Sequence, residues 1–260
     1  MKKQLFVVAA TASLAAAAAS AQSVLFDFEN APVHTSLPIS LTVGGITAHF
    51  TATGQGFSIQ PANSLGFTPA GFSGNCIYPN SVYGADLLVS FSRTITNFSI
   101  LYAPEEYACD SSATMRVTAY LNGALAGTAT TNAVAGTWPS ETLAFASAKG
   151  FDSVVVHYDA APVTGGDYGP VFMADNMMVT PLPPPVLLTG MTRLAGGGFQ
   201  FGFTNAPGGS YHVLASTNLM LSMTNWTVLG TATEVSPGEY QFTDVAASNG
   251  GQQFYRVCAP

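Results

Sequence analysis

Glycine and proline interrupt the chain beyond residue 21 at short intervals, and helical periodicity is nearly absent from it. Short apolar–polar alternations bounded by turn residues read as strands, not helices. Gly44-Gly45 separates Ile39–Val43 from Ile46–Thr53 as a tight hairpin does, and Asn122-Gly123 joins Thr114–Leu121 to Ala124–Thr130 in the same way. Two further segments, Val24–Glu29 and Val171–Thr180, carry acidic side chains among apolar ones. They bracket most of the predicted strands and are expected to be the first and last strands of one domain, lying together.

Other strands are predicted over Gly56–Gln60, Ala85–Phe91, Ile95–Tyr102, Glu141–Phe145 and Phe151–Tyr158. Pro61–Tyr83, Ala103–Ser112 and Ala160–Pro170 lack periodicity and read as loops, the first long enough to suggest a functional role. The architecture that follows is all-β. It consists of an antiparallel jelly-roll β-sandwich over residues 22–181 and a small β-sandwich over 186–260. A proline-rich linker over 182–185 joins them, since consecutive prolines favour extended geometry and cannot donate ladder hydrogen bonds. In the second sandwich Phe199, Phe201 and Phe203 alternate onto one face.

Residues 1–21 have the composition of a signal peptide: Lys2 and Lys3, an apolar run over Leu5–Ala19, and the small-residue cleavage site Ala19-Ser20-Ala21. The chain is therefore expected to be exported, to the periplasm, the cell surface or the medium, with Gln22 as its first mature residue. No later run is long and apolar enough to span a bilayer. Loss of Lys2 and Lys3 moves the formal net charge from −7 to −9. That balance argues against nucleic acid, whose affinity comes from basic patches, and against anionic membranes.

Export permits a disulfide, and Cys76 with Cys109 is the expected pair. It would close a loop worth about 3–4 kcal/mol, the alternative being two independent thiols. Cys258 reads as a small packed residue.

No nucleophile-elbow, zinc-protease or phosphate-loop pattern is present, and His34, His49, His157 and His212 are scattered. Glu105-Glu106 reads as a solvated acidic loop, because adjacent carboxylates diverge. The expectation is a protein without a catalytic site. Asp27, Glu29 and Asp175 are the candidate metal ligands: calcium takes six to eight oxygens, and period-two geometry sends Asp27 and Glu29 to one face. Trp138, Tyr78, Tyr83, Tyr107 and Tyr168 are the candidate ligand-binding aromatics, since pyranose faces stack on rings presented by loops. Tyr102, beside a predicted loop, is a further ring of this kind.

Two resemblances add to this reading. The Phe-Asp-Phe-Glu start at Phe26–Glu29, the strand–Asn-Gly–strand middle, and Asp175-Asn176-Met177-Met178-Val179 resemble the galactose-binding-like jelly rolls of bacterial exported proteins, a group that includes many carbohydrate-binding modules. The resemblance implies a polysaccharide or cell-envelope glycan as partner, and a structural calcium near the junction of the terminal strands.

Gly198-Phe199-Gln200-Phe201, Gly209-Ser210-Tyr211, Ala215–Leu219, Asn225–Gly230, Phe242-Thr243-Asp244 and Gln253–Val257 are similar to a small C-terminal β-sandwich found in exported proteins of the Verrucomicrobia and relatives. This implies an accessory module of fibronectin-III-like character. Its departures are the inserted Met220-Leu221-Ser222-Met223 and Asn218 in place of Asp. The functional expectation is a non-catalytic binding protein. The alternatives are a structural protein making protein or envelope contacts and, behind it, a hydrolase of unrecognised site. Oligomeric state is left open.

Overall fold

The computed structural model describes residues 22–106, 114–136, 138–160, 167–183, 186–249 and 252–258. Residues 1–21, expected to be a signal peptide, Tyr107, Cys109, and Pro184 and Pro185 of the expected linker lie outside the described residues. No α-helix occurs among those described. The chain forms two compact units, one over Gln22–Leu182 and one from Pro183 onward.

Among the described residues the first unit holds ten antiparallel strands: β1 (Val24–Phe26), β2 (Ile39–Val43), β3 (Ile46–Ala52), β4 (Phe57–Pro61), β5 (Asn75–Pro79), β6 (Leu87–Glu106), β7 (Thr114–Leu121), β8 (Ala124–Asn132), β9 (Glu141–Ala160) and β10 (Asp167–Pro181). The terminal strands pair, with Val24 opposite Val179 and Phe26 opposite Met177.

Two strands are much longer than the sequence suggests. β6 joins the predicted strands 85–91 and 95–102, and β9 joins 141–145 and 151–158. Their polar interruptions, Ser92-Arg93-Thr94 and Ala146–Gly150, mark bends and not ends. The β6–β9 register shifts between Ser90 and Ile95, and Gly150 takes φ +77°. A Cβ at Gly150 would strike the Thr94 side chain, so the bend requires glycine there.

The bends let both strands serve two layers. Leu87–Phe91 of β6 pair with β3 and with the second half of β9, in a layer ordered β2-β3-β6-β9-β7-β8. Residues 95–106 pair with β10 and the first half of β9, in a layer that continues through β5 to β4 and carries β1. Alternate residues of both layers meet in one core of Phe26, Phe28, Phe50, Phe57, Phe98, Phe151 and Phe172 with aliphatic neighbours. Such burial, at roughly 25 cal/mol per Å² of apolar surface, is the main favourable term in folding.

The second unit has β11 (Thr189–Arg193), β12 (Phe199–Thr204), β13 (His212–Ser216), β14 (Thr227–Thr231), β15 (Thr233–Ser236), β16 (Glu239–Asp244) and β17 (Phe254–Cys258). They form the sheets β11-β12-β16-β15 and β14-β13-β17. Phe201 and Phe203 are buried and Phe199 partly so, around Tyr211, Val213 and Tyr240. The Tyr240 hydroxyl donates to the Ala206 carbonyl at 2.7 Å and accepts the Gly209 N–H at 2.9 Å, so the ring is buried with its polar end satisfied. Cys258 is half-buried in β17.

Candidate functional site

The outer face of the β4-bearing layer is divided. Part of it is roofed by the segment 62–74 that joins β4 to β5. Under that roof Cys76 of β5, Ala103 of β6 and Met173 of β10 form a satellite cluster with Ala62 and Phe72 of the roof, flanked by Leu65, Tyr78 and Leu101. Each strand alternates: Ile77, Tyr102, Phe172 and Ala174 face the main core, and their neighbours face the roof. In sequence this stretch reads as one long loop. The structure places a five-residue strand, β5, inside it and packs the remainder against the sheet.

Carboxylates fasten the roof. Asp175 of β10 is fully buried and accepts the N–H of Ser73 at 3.2 Å and of Asn176 at 2.7 Å. Asn176 sits at φ +49°, at the irregularity between Asp175 and Met178 in the β10–β6 ladder, and its side-chain amide donates to the Gly71 carbonyl at 3.0 Å. Glu29 accepts the Asn75 N–H at 3.3 Å, and its carboxylate lies where a Cβ of Gly74 would be. Gly74 has φ +51°, so the roof closes over Glu29 through a position that only glycine fills without strain.

Strand alternation does not place Asp27 and Glu29. β1 ends at Phe26, and Phe28 between the two acids takes φ +61°. Burial of Phe26 and Phe28 in the core is what leaves both acids outside it.

The structure brings Asp27, Glu29 and Asp175 into electrostatic reach. Desolvation pushes the Asp175 carboxyl up to about 6 against its two amide bonds, with Glu29 and then Asp27 pushing the same way. None of the ion pairs among the described residues involves these three acids. Among the described residues no three histidine, cysteine or acidic side chains are arranged so that they could hold one metal ion.

Glu105 corrects the reading of a solvated acidic loop. β6 continues to Glu106, and period two turns Glu105 to the roofed side with Leu101 and Ala103. It is 5% exposed, its Oε1 has no hydrogen-bond partner, and burial pushes its carboxyl up to about 8. Burial, followed by the charges of Asp175, Glu105 and Glu29, pushes the Cys76 thiol up to about 12. The expected partner of Cys76, Cys109, lies outside the described residues.

The candidate aromatics separate. Trp138 is half-buried, has φ +51°, and faces Phe67 of the roof with ring centroids 4.7 Å apart and planes 30° apart. A bulky residue in the left-handed region is strained, and such outliers are over-represented at functional sites. Sequence reasoning misses Phe67; only its place in the long loop points to it. Tyr78 packs half-buried against the satellite cluster, and Tyr83 is 69% exposed at a separate turn. Tyr102 is buried and its hydroxyl donates to the Thr131 carbonyl at 3.4 Å. The backbone of Tyr168 runs within β10, so it belongs to a strand; its side chain, like Tyr107, lies outside the described residues.

On the unroofed part of the face, Met178, Thr180, Asn97, Ser99, Ala144 and Ala146 line a shallow groove of about 360 Å³ with Phe98 and Phe145. The four histidines do not converge. His34 meets Gln60, His49 meets Ser40, His157 meets Asp86, and His212 meets Thr231.

No family model matches the chain, and no curated protein sequence does. Solved structures similar to it include the K2 cleaved adhesin domain of Lys-gingipain. It shares 14% identity, the match covers 61% of this chain and 99% of that chain, and the TM-score is 0.38. A second cleaved adhesin domain of Lys-gingipain, from Porphyromonas gingivalis, shares 14% identity over 62% of this chain and 98% of that one, with a TM-score of 0.37. The CBM51-2 and INT domains of Clostridium perfringens ZmpB share 10% identity over 53% of this chain and 38% of that one, with a TM-score of 0.30.

Proposed function

We propose that this is an exported, non-catalytic binding protein whose first unit holds a glycan of a polysaccharide or cell envelope against the Trp138–Phe67 ring pair. The observation that carries the reading is that pair: a strained, half-exposed indole beside a phenylalanine supplied by a roof segment anchored at its far end. Stacked or tilted rings present a flat apolar surface to the C–H face of a pyranose, and anchoring lowers the cost of ordering them on binding.

Calcium belongs to the same proposal. Asp27, Glu29 and Asp175 carry carboxylate oxygens of the hard kind that calcium prefers, but as they stand the three do not form a ligand set, so binding would need Asp27 and Glu29 to turn toward Asp175 and backbone carbonyls to complete the shell. An ion there would neutralise the repulsion that Glu29 and Asp27 exert on Asp175 and would hold Ser73–Asn75 against β10.

Retention of the full chain on a panel of insoluble polysaccharides tests the glycan reading. The parent should be retained by at least one glycan, and Trp138→Ala should lose that retention while melting as a folded protein. A parent retained by none, or a variant retained equally, rejects the proposed surface.

A further inference from the structure

We propose that β8 is a pairing edge through which two copies of this chain join, strand to antiparallel strand. An edge strand presents a row of unpaired N–H and C=O groups, and proteins that remain single block such rows with charge, proline, short length or a covering segment. The other outer strands of the first unit show these devices. β4 is covered by the segment 34–37: the His34 and Leu37 N–H groups donate to the Ile59 and Phe57 carbonyls, the Ile59 N–H donates to the Thr35 carbonyl, and Ser36 bridges Ser58. β2 is five residues long and directly follows Pro38. The unpaired flank of β9 begins at Glu141 and meets Lys149.

β8 has none of these four; its one irregularity is a bulge opposite Ala119 and Tyr120 of β7, and Gly127–Asn132 beyond it pair regularly with β7. Its nine residues, Ala-Leu-Ala-Gly-Thr-Ala-Thr-Thr-Asn, carry no charge and no proline, and among the described residues its only ladder partner is β7. Ala124, Leu125, Ala126, Thr128, Thr130 and Asn132 are all exposed, Leu125 at 66%. The inner side of the strand is firmly seated: Ala129 packs on the core, and a Cβ at Gly127 would strike the Phe145 ring. The strand is therefore held in place on its inner side, and over Gly127–Asn132 it is offered in regular register at its outer edge.

The chemistry of the edge selects a second copy as its occupant. A chain with a formal net charge of −7 repels itself over most of its surface, but an uncharged strand brings no like charges opposite one another. An antiparallel strand is its own complement under a two-fold axis, so one patch serves both partners and the assembly closes at two. β8 carries no charged group by which a charged peptide would be recognised. Threonines at 128 and 130 supply the β-branched cross-strand pairs that stabilise such a seam.

Sedimentation velocity of the full chain across a micromolar concentration series tests this. The parent should shift from monomer to dimer, and Thr128→Lys with Thr130→Lys should weaken self-association at least about tenfold by placing like charges across the axis. Ser90→Lys, an exposed change on a central strand of the same layer, should leave the dimer intact. Because the lysine pair could disturb folding, Thr128→Cys provides a second reading: mild oxidation should link two chains through position 128 in high yield, and Ser90→Cys should not. A parent that stays monomeric, a dimer indifferent to the lysines, or failure of the Thr128→Cys variant to link where the Ser90→Cys variant does would overturn the proposal. Capture of a strand from a different protein by a monomeric parent would overturn it as well.

Discussion

The carboxylate of Asp175 holds the backbone N–H of Ser73 at 3.2 Å across 102 residues of chain. It joins the last strand of the first unit to the roof that carries Phe67. Asp175 is fully buried, so its bonds work in a low-dielectric setting where charge-assisted contacts are strong and unpaired ones costly.

Calcium should act at this point. At about a hundredfold over its Kd it should add about 2.7 kcal/mol, read as a rise in melting temperature reversed by a chelator. Asp175→Asn should remove the response while keeping the fold. Calorimetry with no heat and no shift in melting would dismiss the ion.

Glu105 should make stability fall with rising pH. Its carboxyl is raised from the ordinary 4.5 to about 8, so the folded state favours the proton. The stability it confers is full below pH 4.5 and is lost as pH rises through about 8. Glu105→Gln should match the parent at the acidic end and exceed it above pH 8 by on the order of 4 kcal/mol. Denaturant melts of both proteins across that range decide it; parallel curves would mean that Glu105 is not buried as described. Asp175, raised in the same direction from 3.8 to about 6, contributes a smaller loss over that lower range.

Gly74→Ala should cost about 2–3 kcal/mol, from a left-handed backbone and from displacing the Glu29 carboxylate beneath it. Gly45→Ala shares the backbone strain, with φ +74°, but meets nothing within 4 Å. The difference between the two in chemical denaturation isolates the Glu29 contact.

Phe67→Ala should reduce glycan retention as Trp138→Ala does, with a stability loss of only about 1 kcal/mol from the ring pair. Tyr83→Ala, at an exposed ring apart from the pair, should change neither quantity.

Local pattern foretells much of the fold and little of the site. Asn122-Gly123 and Gly44-Gly45 form the hairpins their chemistry demands, and the Phe199–Phe203 alternation faces a core as period two requires. Ser92-Arg93-Thr94 and Ala146–Gly150 look like turns because they are polar or glycine-bearing. Nothing local distinguishes a bend that stays extended from a break. Glu105 reads as solvated because a carboxylate beside another in a polar stretch ordinarily is; its burial follows from β6 running on to Glu106, which turns Glu105 to the face that Leu101 and Ala103 share. The Phe67–Trp138 meeting is long-range, and φ +51° at Trp138 has no sequence signature, since bulky residues ordinarily avoid it.

Because β6 and β9 each run through both layers, neither sheet can be peeled from the other without breaking strands that belong to both. The usual weak plane of a sandwich, the apolar gap between its faces, is thus stitched by two covalent backbones. Amide hydrogen exchange across 87–106 and 141–160 should therefore report a single opening event, with Val89 and Ile100 protected to the same free energy. Under load the first unit should yield all at once, as a tether that holds or fails and does not stretch.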